Sequence, residues 1–181
     1  MGSRTCLDGG YNDAHRVLEA GSANRELGAA WIGQFKDETS TAEICFTHLH
    51  WDHIQGFPFF SAAYMPQNEF TIFGEERETG GVRELLSGQM SGDYFPIELS
   101  AMNAKLNFEP VTPVFKYGPL TIKSIRLPHP GGSLGFRVEV ENNVFVLATD
   151  SELDSIALNP DELAADIRAP RKFPDEYIEF F

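Results

Sequence analysis

Four side chains able to hold a metal ion, His48, His50, Asp52 and His53, fall within six consecutive residues of this chain, and three of its five histidines are among them. They follow the run Ile44-Cys-Phe-Thr, which is apolar and β-favouring and reads as a short buried strand. The polar cluster therefore sits at a strand's carboxyl end. If the backbone stays extended past Thr47, side chains two apart share a direction, so His48 and His50 converge on one point while Asp52 and His53 serve a second. Imidazole and carboxylate together suit zinc, manganese or iron, and two such ions can share one hydrolytic site. The competing reading is a solvated loop whose histidines bind nothing. The density of ligand types directly after an apolar strand favours metal.

The motif His48-Leu-His50-Trp-Asp52-His53 resembles the signature of the metallo-β-lactamase fold superfamily of metal-dependent hydrolases. Its continuation, Ile54-Gln-Gly-Phe-Pro-Phe-Phe60, is more similar to the branch containing tRNase Z and cyclic-phosphate phosphodiesterases than to the antibiotic-cleaving enzymes. The resemblance implies an α/β (α+β) fold, an αββα sandwich of two β-sheets between helices, with two divalent metal ions. Residue by residue, it implies His48, His50 and His129 on the first ion, which keeps an open position for water. Asp52 and His53 would hold the second ion, and Asp150 would bridge both. Coordination lowers the pKa of water from about 15.7 to near 7, which supplies hydroxide at neutral pH, and Asp52 or Asp150 would orient it. The expected reaction is hydrolysis of a small or cyclic phosphodiester. Thioester or lactone hydrolysis, and oxygen reduction at a di-iron site, are the alternatives within the same fold.

The sequence departs from the family pattern in one respect that bears on chemistry. No histidine follows His129, whereas family members carry at least one more, which completes the second metal. The resemblance also implies further elements beyond Phe181 and a fuller opening before Thr5. A shortened chain, completion by a partner chain, and a reduced member holding a single ion all stay open. The C-terminal half is expected to be incomplete, with an apolar face covered by a homodimer or partner chain. The reading from another functional class is a non-catalytic metal-binding module used for sensing or interaction.

Composition limits the function classes. With 181 residues, of which 42% are hydrophobic, the chain suits a single domain spanning residues 1–181. No stretch approaches the roughly 20 apolar residues of a membrane span, which favours a cytoplasmic protein. A net charge of −13 disfavours a long nucleic acid, whose phosphates are gripped by Lys and Arg, and leaves a small anionic ester as substrate. Cys6 and Cys45 have neither disulfide-framework nor Cys-x-x-Cys spacing and read as buried thiols.

The positioning elements follow from pattern. Residues 16–21 read as a strand ending in a glycine turn, with His15 in a polar turn before it, and residues 24–32 as a helix. Residues 69–74 read as a strand and 82–87 as a short amphipathic helix. The loop at 88–96 carries Tyr94, for which a packing role and a substrate role both stand. The rings at 57–60 read as core in preference to a substrate platform. Residues 120–127 form a strand that ends at Pro128-His129-Pro130-Gly-Gly, where two prolines restrict the backbone around one histidine. Residues 135–140 and 144–150 read as a hairpin, and Asp150 on its own reads equally as a turn residue. Thr149 and Ser151 are candidates for hydrogen bonds to the ligands. Asn159-Pro160 starts a helix to about residue 168, and residues 168–172 form a small basic cluster read as a solvated helix end.

Overall fold

The computed structural model describes residues 5–8, 14–18, 21–35, 38–76 and 80–181. The chain divides into two compact units, Met1–Thr112 and Pro113–Phe181. Among the described residues no helix is long and apolar enough to cross a membrane.

The first unit is built on a five-stranded sheet in sequence order: β1 (Thr5–Asp8), β2 (Ala14–Leu18), β3 (Thr41–Cys45), β4 (Glu69–Gly74) and β5 (Lys105–Pro110). β1 pairs antiparallel with β2, and the remaining pairs are parallel. Parallel neighbours need long crossovers. Here these carry α1 (Asn24–Gln34), then α2 (Trp51–Ile54) with the 3-10 turns Phe57–Phe59 and Ser61–Tyr64, then α3 (Val82–Gln89). His15 lies within β2, because that strand begins two residues earlier than its apolar pattern suggests and pairs with β1 from Asp8↔His15. β5 has no counterpart among the elements read from sequence, since its alternation Leu106, Phe108 is interrupted by Asn107 and closed by Pro110.

One face of the sheet supplies Val17, Ala42, Ile44, Phe70 and Ile72 to a core closed by Leu27 and Trp31 of α1, Phe57, Phe60 and Leu86. Phe70 and Ile72 alternate with half-buried Glu69, Thr71 and Phe73, the period of two expected of a strand with one face inward. α1 lies close to the chain at Phe60 and Ser61, so a Cβ at Gly28 would fall 2.6 Å from the Ser61 nitrogen. The Trp31 indole donates to Ser40 Oγ (2.7 Å), Ser40 Oγ to Asn68 Oδ1 (2.9 Å), and Asn68 Nδ2 to the Ala62 carbonyl (3.0 Å). This buried chain braces α1 against the segments that enter β3 and β4, at the amino ends of those strands.

The second unit is a four-stranded antiparallel sheet, β6 (Val114–Tyr117), β7 (Leu120–Leu127), β8 (Ser133–Val140) and β9 (Asn143–Leu147), paired in that order. The β8–β9 turn has only two residues, with Glu141 at a left-handed φ of 51°. α4 (Pro160–Ala165) and α5 (Asp175–Phe180) follow. α4 ends earlier than its sequence suggested, and Asn159 does not cap it in the usual way. Its Nδ2 donates to Glu162 Oε2 and to the Pro170 carbonyl, while its Oδ1 accepts from the Lys172 amide at 3.1 Å. The basic cluster is correspondingly less solvated than expected. Arg171 grips Asp154 with two hydrogen bonds of 2.9 and 3.0 Å, and Lys172 meets Glu162 at 2.9 Å.

Two predictions follow from this packing. Asn68→Leu removes the buried acceptor of the Ser40 hydroxyl proton, while the Ala62 carbonyl keeps the Met65 amide and Ser40 Oγ keeps the Trp31 indole, and urea denaturation should show a loss of about 1–3 kcal/mol. Hydrogen bonding to Arg171 holds the Asp154 carboxyl below its ordinary value of 3.8, and bonds from Asn159 and Lys172 hold Glu162 below 4.5. A depressed folded pKa stabilises fully above the unfolded value, and that contribution is lost as pH falls through the depressed one. Amide exchange protection at Leu158, which donates to the Lys172 carbonyl at 2.7 Å, should therefore hold at about pH 5 and fall by about pH 3. Added salt should weaken it at the upper pH, because both carboxylates are exposed.

Candidate metal centre

In the first unit the polar cluster begins where β3 stops. β3 runs from Thr41 to Cys45, whereas the apolar run alone placed the strand at residues 44–47. Pairing with β4 starts at Thr41↔Glu69, which extends the strand backwards through residues the hydrophobic pattern does not mark. Past Cys45 the Phe46 amide still bonds to the Phe73 carbonyl (2.9 Å), and Phe46 and Thr47 are fully buried. His50 keeps an extended backbone (φ −67°, ψ 154°) and leads into the single turn of α2, where the His53 amide donates to the His50 carbonyl (3.0 Å).

That change from extended to helical backbone gathers three imidazoles. His48 is only 1% exposed. Its Nδ1 lies 3.1 Å from Thr47 Oγ1, and its Nε2 lies 3.0 Å from His50 Nδ1. The His48 and His50 rings meet edge to face at 4.5 Å, and the His53 ring lies 4.1 Å from that of His48. The convergence of His48 and His50 follows the expected alternation. The His53 ring packs against His48, and its Nε2 also faces Asp52, the residue with which it was expected to serve a second point. Asp52, with a side chain 69% exposed, stands at the rim with Oδ2 3.4 Å from His53 Nε2.

The loop is held from beneath. Gln89, buried on α3, donates from Nε2 to the Ile54 carbonyl at 3.2 Å, directly after His53. Sequence reading passed over Gln89. The available signal was a polar residue on the buried stripe Val82, Leu86, Gln89 of a helix. Phe57 and Phe60 are fully buried and belong to the core, and Phe57 meets Phe46 edge to face at 6.3 Å. Phe59 is half exposed and packs on Phe95 at 5.3 Å. Tyr94 is exposed.

In the second unit His129 rides on the turn between β7 and β8. Gly131 and Gly132 take left-handed φ values of 78° and 85°, and the Gly132 amide closes the turn onto the His129 carbonyl at 2.7 Å. A side chain at Gly132 would also collide with the Arg126 guanidinium. β9 ends at Leu147, three residues short of Asp150, so Asp150 belongs to the segment after the strand and not to the strand end itself. That segment returns to the histidine turn: the Glu152 amide donates to the Pro128 carbonyl at 2.7 Å. His129 Nε2 lies 3.7 Å from Asp150 Oδ2, and His129 Nδ1 lies 3.7 Å from Glu152 Oε1. Glu152 was not among the residues singled out from sequence, although its spacing of two from Asp150 suits a second carboxylate directed to the same partner. His48, His50, Asp52 and His53 of the first unit, and His129 and Asp150 of the second, are donor types that could hold a divalent metal ion.

No family model matches the sequence, and no curated protein matches it. In three dimensions the chain is similar to the metallo-β-lactamase fold protein YhfI from Bacillus subtilis, at 19% identity and a TM-score of 0.56 over 82% of this chain. It is also similar to the short form of human tRNase Z, at 17% identity and a TM-score of 0.53 over 83% of this chain. A metallo-β-lactamase HARLDQ motif mutant from Cronobacter sakazakii aligns at 15% identity and a TM-score of 0.54 over 91% of this chain. The chain has the mixed α/β metallo-β-lactamase fold that its histidine motif led us to expect, here with parallel and antiparallel sheets. It spans 54%, 62% and 64% of the lengths of these three proteins respectively.

The Thr47 hydroxyl is the contact most open to a clean test. Thr47→Val preserves shape while removing one hydrogen-bonding partner of His48 Nδ1. Urea denaturation of the metal-free protein should register a loss of about 1–3 kcal/mol.

Proposed function

We propose that the protein is a metal-dependent hydrolase that cleaves small anionic phosphodiesters. The observation that carries this reading is the pair His48 Nε2 and His50 Nδ1, which face each other at 3.0 Å beside a fully buried threonine. Two bonds of 2.0–2.1 Å at a tetrahedral angle would set two imidazole nitrogens about 3.3 Å apart, so these residues fit a common cation with little adjustment. Thr47 Oγ1 accepts from His48 Nδ1–H in that arrangement, which leaves the Nε2 lone pair for the ion.

As the resemblance of the histidine motif implies, His48, His50, His129, Asp52, His53 and Asp150 would hold two dications between them. Zinc is the first choice by donor type, with manganese or iron as alternatives. Bound there, the ions would polarise the scissile group and make a water acidic enough to attack near neutral pH. Asp52 and Asp150 would accept hydrogen bonds from the attacking water and orient it. A chain of net charge −13 is poorly suited to a long nucleic acid, and this favours a small ester.

The test is to load purified protein with zinc, manganese or iron, count the ions by mass spectrometry, and offer chromogenic phosphodiester, thioester and lactone substrates. Two ions per chain with phosphodiester hydrolysis is expected, and Asp150→Ala should lose an ion and most of the activity. Binding of one ion or none without hydrolysis would leave a non-catalytic metal-binding module. Lactone hydrolysis without phosphodiester hydrolysis would move the substrate assignment.

A further inference from the structure

Within the first unit, a cavity of about 520 Å³ lies between α3, the 3-10 turn Leu99–Ala101 and β5. Its size falls in the range of roughly 300–1,000 Å³ that small-molecule sites occupy. Arg83 and Glu98 both line it, and among the described residues neither forms an ion pair, with the other or with any third side chain. The Arg83 guanidinium is held over the Phe108 ring, 5.3 Å from its centre, and Glu98 Oε2 accepts a hydrogen bond from Ser100 Oγ at 3.3 Å. Met90, Leu99 and Met102, all buried, supply the apolar part of the lining. Main-chain bonds fix the walls: the Met90 amide donates to the Leu86 carbonyl at 3.3 Å, the Met102 amide to the Leu99 carbonyl at 3.1 Å, and the Ala104 amide to the Ala63 carbonyl at 3.0 Å. The cavity is therefore formed before any ligand arrives.

The charges decide what such a cavity accepts. In a chain with 27 acidic and 14 basic residues, an arginine without a carboxylate partner leaves its five N–H donors for a ligand's anion. A wholly apolar molecule would cover Arg83 and Glu98 without pairing either, and a simple anion would meet Glu98 as a like charge. A molecule with opposite charges at its two ends and an apolar body between them matches both charges and the floor. We infer that this cavity is a binding site for a small zwitterion with an apolar body, of which a short apolar peptide with free ends is the simplest kind. Its carboxylate pairs with Arg83, its ammonium with Glu98, and its side chains lie on Met90, Leu99 and Met102. The hydroxyls of Ser87 and Ser91, which make no hydrogen bond to another described residue, serve the peptide amide between the two ends. None of the lining residues is a candidate metal ligand, so the site stands whether or not the protein is a hydrolase.

The test is a titration of the nitrogen-15-labelled chain with leucyl-leucine, followed through its backbone amides by NMR. Saturable shifts are expected at Ser87, Met90, Ser91 and Ser100, with a Kd of about 1 mM because both charges sit at an exposed rim. N-acetyl-leucyl-leucine lacks the ammonium and leucyl-leucinamide lacks the carboxylate, and each should bind about fivefold more weakly. Glu98→Gln keeps an acceptor for Ser100 while removing the charge. In that variant the free peptide should bind no better than the acetylated one, and in Arg83→Gln no better than the amide. Both side chains are exposed, and a thermal melt matching that of the parent protein would establish that each variant folds. Any of three results overturns the inference: no saturable shift at about 20 mM peptide, equal binding of the three peptides to the parent, or differences among them that persist in both variants.

Discussion

A histidine that is 1% exposed cannot rely on water for either of its ring nitrogens, and the first unit answers this for His48 with two side chains from its own segment. Thr47 meets Nδ1 and His50 meets Nε2. One proton shared between two nitrogens satisfies both in the absence of metal. A cation can take the place of that proton and accept both lone pairs at nearly the same spacing. On the metal-centre reading, ligation by these two nitrogens would therefore need little change of backbone.

Holding that geometry depends on the sheet. In a parallel sheet the loops that follow the strands gather at one end, and β3 delivers the histidines there. The opposite end is tied by Trp31, Ser40 and Asn68, whose side chains lock the entry to β3 and β4. Gln89 reaches across 35 residues of sequence to fix the turn just beyond His53. Loop flexibility is thus limited at the strand's start, at its end, and at the helix that follows.

The parts of this arrangement visible in sequence are those set by local pattern. β4 and β7 run from Glu69 to Gly74 and from Leu120 to Leu127, as alternation and glycine or proline stops suggested. The pairing of His48 with His50 was legible because it needs only extended backbone. The ring contact between His53 and His48 was not, because it depends on the single helical turn that follows His50. β5 was hidden, since its membership depends on pairing with β4 and not on its own weak alternation. α5 was hidden too: Phe180 is buried, but the helix is only one and a half turns long and carries acids among its apolar residues. Gln89 and Glu152 escaped because each lies beside a partner that only the fold brings near.

Charge adds a last constraint on how such a centre would be used. The chain carries 27 acidic and 14 basic residues. Several of the basic side chains in the second unit are already engaged: Arg171 with Asp154, Lys172 with Glu162, and both Lys123 and Arg137 with Glu139. An anionic ester approaching a protein of this sign meets repulsion at distances beyond the Debye length of about 8 Å only weakly, and within it strongly. Dications meet the opposite field and are drawn in. A bound ion inverts the local potential around the carboxylates, so in the hydrolase reading metal loading must come before substrate binding. The surplus of carboxylate is then compatible with an anionic substrate, because the same charge that repels the empty protein's ligand concentrates the ions that attract it.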